Sequence, residues 1–422
     1  MKTFGLTCLS LWLVAVAAVA AEPGQAKPPV AALTNLAGNL PVVFLQTTQQ
    51  IASGLKVPCR VKLVLPGRAK TERTDALPAL IRIHGATSQG YAKKSFALTL
   101  DAPARWLGMA RTENWVLNAA AVDRSLMRHK LSYDLFRSMS GDGGRRFSAA
   151  SRFVEVNLNG NYQGVYLLME HVGRALLELR RFESNATSQA CIYKAVDHTA
   201  NFSQPGHDGY EQRFPDPTIR EYWGPLDELD RFISRAASGD FFAAETGIGS
   251  RLDLACTIDF HLLVLLTSNM DGIDKNFILA RDALPPAGVK PRFFFVPWDY
   301  DATFGRNWEA SRVSSTEWLS SYLFDRLLTN PAYRQQFGAR WQQLRARQFT
   351  TENLGRMIDE NSRTLGDAVL RNVARWETRG GSAPDRRGFD EELRQMKEWI
   401  AARIKWLDTE VARRAGVPPT GR

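Results

Sequence analysis

Val154-Glu155-Val156-Asn157-Leu158-Asn159-Gly160-Asn161-Tyr162-Gln163-Gly164-Val165-Tyr166-Leu167-Leu168-Met169-Glu170 is the stretch on which the fold turns. Two apolar-rich runs, Val154 to Leu158 and Val165 to Met169, flank Asn159-Gly160, a pair that tolerates the positive φ of a tight hairpin turn. Upstream, alternating apolar and polar residues recur at 41–45, 59–65, 79–83 and 95–100 and predict strands with one wet face. One helix interrupts them over 123–137, with Leu126, Leu131 and Leu135 near helical spacing and Asp123 as its cap. After Glu170 the texture changes, and 226–236, 252–268, 351–376 and 389–414 carry 3.6-residue apolar stripes. A strand-rich half followed by a helix-rich half predicts an α+β fold with two lobes, an N-lobe over 36–170 and a C-lobe over 171–415. Clefts between lobes commonly host sites.

The first residues predict export. Lys2 precedes an almost purely apolar run, Leu6 to Val19, which ends in Ala17-Ala18-Val19-Ala20-Ala21 before Glu22-Pro23. This is the layout of a secretory signal peptide over 1–21, and it predicts a secreted or periplasmic, cell-envelope protein with no stable membrane insertion after cleavage. Residues 22–35, rich in Ala, Pro and Gly, read as a flexible tail. Removing the signal leaves Cys59, Cys191 and Cys256, too few and too far apart for a disulfide-stapled or zinc-clustered scaffold. With 54 Lys and Arg against 44 Asp and Glu, the net charge is +10 and favours phosphate-bearing or acidic partners. The arginines are scattered, and no basic arm interleaved with aromatics marks a nucleic-acid binder. P-loop, dinucleotide and zinc-protease motifs are absent, and the six histidines are dispersed along the chain.

Two segments carry candidate chemistry. Thr267-Ser268-Asn269-Met270-Asp271-Gly272-Ile273-Asp274-Lys275-Asn276 follows an apolar helix, and Trp298-Asp299-Tyr300-Asp301 follows the apolar strand Phe293 to Pro297. Phosphoryl transfer needs a carboxylate to orient or deprotonate the acceptor and hard oxygen ligands for Mg²⁺, a set that this spacing supplies. The second segment, Arg82-Ile83-His84-Gly85-Ala86-Thr87-Ser88-Gln89-Gly90-Tyr91-Ala92-Lys93-Lys94-Ser95-Phe96, joins two strands through a loop with two glycines. Glycines let backbone N–H groups approach phosphate oxygens, and a lysine adds a point charge. Strand alternation puts Lys94 with Phe96, Leu98 and Leu100, and Lys93 with Ser95, Ala97 and Thr99. A lysine on an apolar face needs an anionic partner, which favours Lys94 as the phosphate anchor.

Taken in order, these blocks resemble the CotH kinase family, the spore coat protein H-like atypical secreted kinases. Five blocks carry the resemblance: Arg82 through Phe96; Trp115-Val116-Leu117-Asn118 with Asp123, Arg128 and Leu131; Asn159 through Tyr166 with Glu170; Asp271 with Asn276; and Pro297 through Gly305. The resemblance implies a bilobal, protein-kinase-like fold that uses ATP with Mg or Mn to phosphorylate protein Ser/Thr residues. It makes Asp271 the catalytic carboxylate and Asn276 and Asp299 the metal ligands, with Asp301 as a further one. Lys94 would anchor phosphate, with Arg82, Gly85 and Ser88 of the same segment in the nucleotide site and Glu170 beside the base. His84 stands where the family usually carries a second arginine, and Asn269 where typical protein kinases carry histidine. Asp123 and Asp134 are the nearest candidates for a helix carboxylate that pairs with Lys94.

Two other functions fit the same residues. One is a non-enzymatic surface or coat protein that uses a kinase-like fold for assembly or adhesion. The other is a transferase acting on a small molecule or glycan. The identity of a protein acceptor does not follow from the sequence.

Overall fold

The computed structural model describes residues 38–67, 76–141, 144–182, 189–284, 290–377 and 386–416, all within the compact unit Ala37–Arg422. The expected signal peptide and tail lie outside the described residues. The chain is α+β, as its patterning predicts. Strands β1 (Val42–Gln46), β2 (Val57–Val64), β3 (Leu77–His84), β4 (Ser95–Arg105) and β5 (Arg111–Asn118) come first, followed by helix α1 (Arg128–Ser138), β6 (Ser151–Leu158) and β7 (Asn161–Glu170). They form a closed barrel in the order β1-β2-β3-β4-β5-β7-β6, which the expectation of a kinase-like lobe did not include. Closure comes from β1, which pairs antiparallel with β2 and parallel with β6, Val43 lying opposite Val156. The β6–β7 turn forms as expected, with positive φ at both Asn159 (51°) and Gly160 (82°).

The barrel interior is filled by Val43, Val61, Ile81, Leu98, Leu117, Val156 and Leu168. In β2 the burial alternates, as a strand with one wet face predicts. In β6 and β7 it does not, because their outward residues Phe153, Val165 and Leu167 join a second, larger core shared with the helices.

That larger core continues through β8 (Cys191–Ala195), β9 (Tyr210–Phe214), α2 (Gly224–Arg235), the short α3 (Ser238–Phe241), α4 (Leu254–Thr267), β10 (Phe277–Arg281) and β11 (Phe294–Pro297). The four strands make a second sheet, ordered β11-β10-β8-β9. Helix α4 is buried on all sides, as its nearly continuous apolar sequence requires. Then come α5 (Tyr322–Leu328), α6 (Pro331–Arg345), α7 (Thr351–Leu365), α8 (Ala368–Trp376) and α9 (Arg387–Ala415). The stripe expected over 351–376 is two helices, broken at Gly366 with φ 48°. Helix α8 lies on the barrel: Asn372 Oδ1 accepts from Val165 N at 3.1 Å, and Arg371 pairs with the buried Glu155 at 2.7 Å. No helix among the described residues is long and apolar enough to cross a membrane.

Asp230 on α2 gives a pH signature. Its side chain is buried, and Oδ1 has no hydrogen-bond partner. Burial, and then the charge of Asp227, push its pKa up to about 7. A carboxyl raised on folding holds its proton more tightly in the native state, so stability falls as pH rises from about 4 to about 7 and then levels off. Asp230→Asn removes that slope: urea denaturation is expected to match wild type near pH 4 and to exceed it above pH 7, by up to about 4 kcal/mol. A gap that is the same at every pH would contradict this origin.

Candidate active site

A cavity of about 720 Å³ opens where β3, β7, β8, β10 and the end of β11 meet the N-terminal turn of α1. Its acidic wall is built by two turns. Helix α4 stops because Ser268 is left-handed (φ 51°), and the chain passes through Asn269 into a short turn, Asp271–Ile273. Asp271 pairs with Lys275 at 3.2 Å, and its other oxygen lies 3.8 Å from His198 Nε2. Asn276 and Asp299 are also left-handed, with φ 57° and 58°. Asn and Asp tolerate this conformation best among residues with a Cβ, and such strain persists where the surroundings fix it. Here the surroundings are specific. Asn276 N donates to Ala195 O of β8, and Asn276 O accepts from Trp298 N, each at 3.1 Å. Asn269, almost fully buried, accepts from Gly272 N at 3.1 Å and donates to Asp299 O at 3.3 Å, so one amide ties the Asp271 turn to the Asp299 turn.

Helix α1 supports Asp299 from the other side. Asp299 N donates to the buried Tyr133 hydroxyl at 3.0 Å, and His129 Nε2 lies 3.4 Å from Asp299 Oδ1. Burial alone would raise the Asp299 pKa, but the His129 hydrogen bond and the nearby cations hold it below the ordinary carboxylate value. Asp301 goes the other way: burial, and then the Asp299 charge, push it up to about 7. The two neighbouring carboxyls thus shift in opposite directions. The helix itself starts at Arg128, five residues after the expected cap, yet Asp123 still serves it, since Oδ2 accepts from Arg128 N at 2.8 Å.

The glycine loop forms the roof. Gly85 sits at φ +112°, and a Cβ there would fall 2.0 Å from Ser88 Oγ, so only glycine allows the close Thr87–Gly90 turn. Lys94 Nζ donates to Gln89 O at 2.6 Å and so holds this turn; its side chain is not part of the cavity lining. Lys93 does line the cavity. It is buried, donates to Val165 O at 2.6 Å and Asn372 Oδ1 at 3.0 Å, and burial pushes its pKa down to about 7.

Of the residues singled out in the sequence, Arg82, Gly85, Ser88, Asp271, Asn276, Asp299 and Asp301 line this one cavity. Glu170 does not. It is buried, with its two carboxylate oxygens accepting from Ala110 N and Ala150 N at 2.6 and 3.0 Å. Neither candidate carboxylate reaches Lys94: Asp123 pairs with Arg128, and Asp134 with Lys130 and Arg137. Sequence reasoning missed His129, Tyr133, Lys194, Arg213 and Trp298. Their signal was weak, although four of the dispersed histidines (His84, His129, His171 and His198) meet here.

Among the described residues, no group of three or more His, Cys, Asp or Glu side chains is placed to hold a metal. The amide of Asn276 and the carboxylates of Asp299 and Asp301 nevertheless suit Mg²⁺, which takes hard oxygen donors and commonly one or two carboxylates plus phosphate. The glycine turn and the two acidic turns thus line one cavity. A family model described as "CotH kinase protein" matches residues 81–407, more than half of the chain, and the protein belongs to that family. It is 28% identical over 262 residues to the "Inner spore coat protein H" of Bacillus subtilis (strain 168). That match covers 57% of this chain and 66% of the relative, just under two thirds of its length.

Proposed function

We propose that this protein is an exported, ATP-dependent protein kinase in which the barrel and the helix-rich part act as the two lobes and transfer goes to Ser or Thr hydroxyls of a protein acceptor. The observation that carries this reading is the convergence of Asp271, Asn276, Asp299 and Asp301 with the Gly85 turn around one cavity. Asp271 accepts the proton of the acceptor hydroxyl as its oxygen attacks the γ-phosphorus; the bond to the β,γ-bridging oxygen breaks and ADP leaves with the electron pair. Asn276 and Asp299, with Asp301 beside them, would hold Mg²⁺ or Mn²⁺, which when bound neutralises charge on the polyphosphate. Backbone N–H groups of the Gly85–Ser88 turn and the Lys93 ammonium face the phosphates. His129 and Tyr133 keep Asp299 in place. The predicted signal peptide over 1–21 supports export.

Incubation with γ-labelled ATP is expected to label protein in the presence of Mg²⁺ or Mn²⁺ and not with a chelator, and intact mass should rise by about 80 Da per phosphate. A several-fold larger mass step would point to nucleotidyl transfer. A second reading, coat assembly without catalysis, is favoured by the name of the Bacillus relative. It predicts no labelling and an unchanged melting temperature on addition of Mg-ATP, whereas a kinase is stabilised by its ligand.

A further inference from the structure

The transfer reaction gives no role to Lys194 and Arg213 at one end of the cavity. Arg82 from β3, Lys194 from β8 and Arg213 from β9 line it, beside His171 and Trp298. Among the described residues neither Arg82 nor Lys194 forms an ion pair. The Arg82 guanidinium has only a long 3.3 Å bond to Ile83 O, and the Lys194 ammonium sits 4.7 Å from the centre of the Trp298 ring. Glu211 lies opposite Lys194 in the β8–β9 register and pairs with Arg213. Among the described residues, Glu211 is thus the one carboxylate that forms an ion pair with a member of the cluster. Asp299 faces the cluster from the end of β11, and Lys56 adds positive charge from the barrel side. The two imidazoles here do not add to it: burial, followed by the neighbouring cations, pushes both His84 and His171 down to about 4, so they stay neutral near pH 7.

Arg82 and Lys194 are half-buried and lack an ion-pair partner, whereas Arg213 is exposed and paired; the cost of the two half-buried cations is relieved when an anion completes the site. Guanidinium and ammonium groups converging from three strands match phosphate oxygens, with the planar fork giving paired bonds and the ammonium a point charge. The acidic wall at Asp299 and Asp301 is suited to a metal; this end is suited to an anion without one.

We infer that the Arg82–Lys194–Arg213 end of the cavity is a metal-independent phosphate subsite. The phosphate belongs either to the nucleotide, whose chain would then run along β3 and β8, or to an already phosphorylated acceptor. The inference goes beyond the transfer reaction and is tested without it.

The probe is pyrophosphate, titrated calorimetrically into the full chain in EDTA at low ionic strength. Binding is expected, weakening with added salt, and its Kd is expected to rise about tenfold or more in Lys194→Met and in Arg82→Gln. Arg82→Lys, which keeps the charge and loses the fork, should fall between wild type and Arg82→Gln. Asp271→Asn should bind pyrophosphate as wild type does, which separates this site from transfer. Repeating the titration on protein saturated with Mg-ATP identifies the source: binding that disappears assigns the subsite to the nucleotide, and binding that persists assigns it to the acceptor. No pyrophosphate binding by wild type, or equal binding by wild type, Lys194→Met and Arg82→Gln, overturns the inference.

Discussion

Asp271→Asn is expected to lower the turnover of γ-phosphate transfer by about a thousandfold, the range in which a positioned general base acts, while the KM for ATP stays near the wild-type value. The amide has the same shape, so the contact with Lys275 at 3.2 Å loses its charge but not its neighbour, and the turn clamped by Asn269 keeps its geometry. Asn276 and Asp299 are untouched, so the groups proposed to hold the metal and nucleotide remain. Separating kcat from KM is what makes the experiment informative: a group acting only in the transition state lowers kcat, and a ligand-holding group also moves affinity. Asp299→Asn should therefore impair both. An Asp271→Asn variant with wild-type kcat would remove Asp271 from the mechanism.

The largest effect on stability is expected away from the chemistry, at Arg128. Its side chain is almost fully buried, as are Asp123 and Glu392. The guanidinium pairs with Asp123, meets Glu392 at 2.5 Å and donates to Thr303 O at 2.8 Å. One side chain thus joins the start of α1, the segment after Asp301 and the long C-terminal helix α9. Arg128→Met fills much of the same space but leaves Asp123 without its cation, and Glu392 keeps only Arg306. Breaking a buried pair in this way costs about 3–5 kcal/mol, measurable as a lower urea midpoint. The neighbouring His129 contacts Asp299, so the variant should also lose transfer activity below its melting temperature. A loss of unfolding free energy under about 1 kcal/mol would mean that water reaches these carboxylates.

Some elements were legible because local rules decide them. Asn159-Gly160 specifies its hairpin through φ alone, and the stripes of α2, α4 and α9 register burial on one side or all round. Helices α5 and α6 went unread, although Asn330 before Pro331 is a recognisable cap, its Oδ1 accepting from Tyr333 N at 3.0 Å. The acidic residues that line the cavity were picked out because loops rich in Asp and Asn after an apolar element are conspicuous. The cationic residues were not, because Lys194 and Arg213 sit on short strands whose pairing is non-local. The two lysines show the limit most clearly. Alternation correctly grouped Lys94 with Phe96, Leu98 and Leu100, but that apolar face is the inside of a closed barrel. The cavity lies outside it, where Lys93 points, and closure by a parallel β1–β6 pairing cannot be seen from strand patterns.

That closure also limits how the molecule can move. A sheet with two free edges can shear and change its twist, whereas a hoop in which β1 is bonded to neighbours on both sides cannot slip one strand without breaking a ladder elsewhere. The hoop is therefore stiff, and Arg371 and Asn372 fasten α8 to it. Freedom to shift is left to the short connections that emerge from its rim, among them the glycine turn that the Lys94 ammonium ties down.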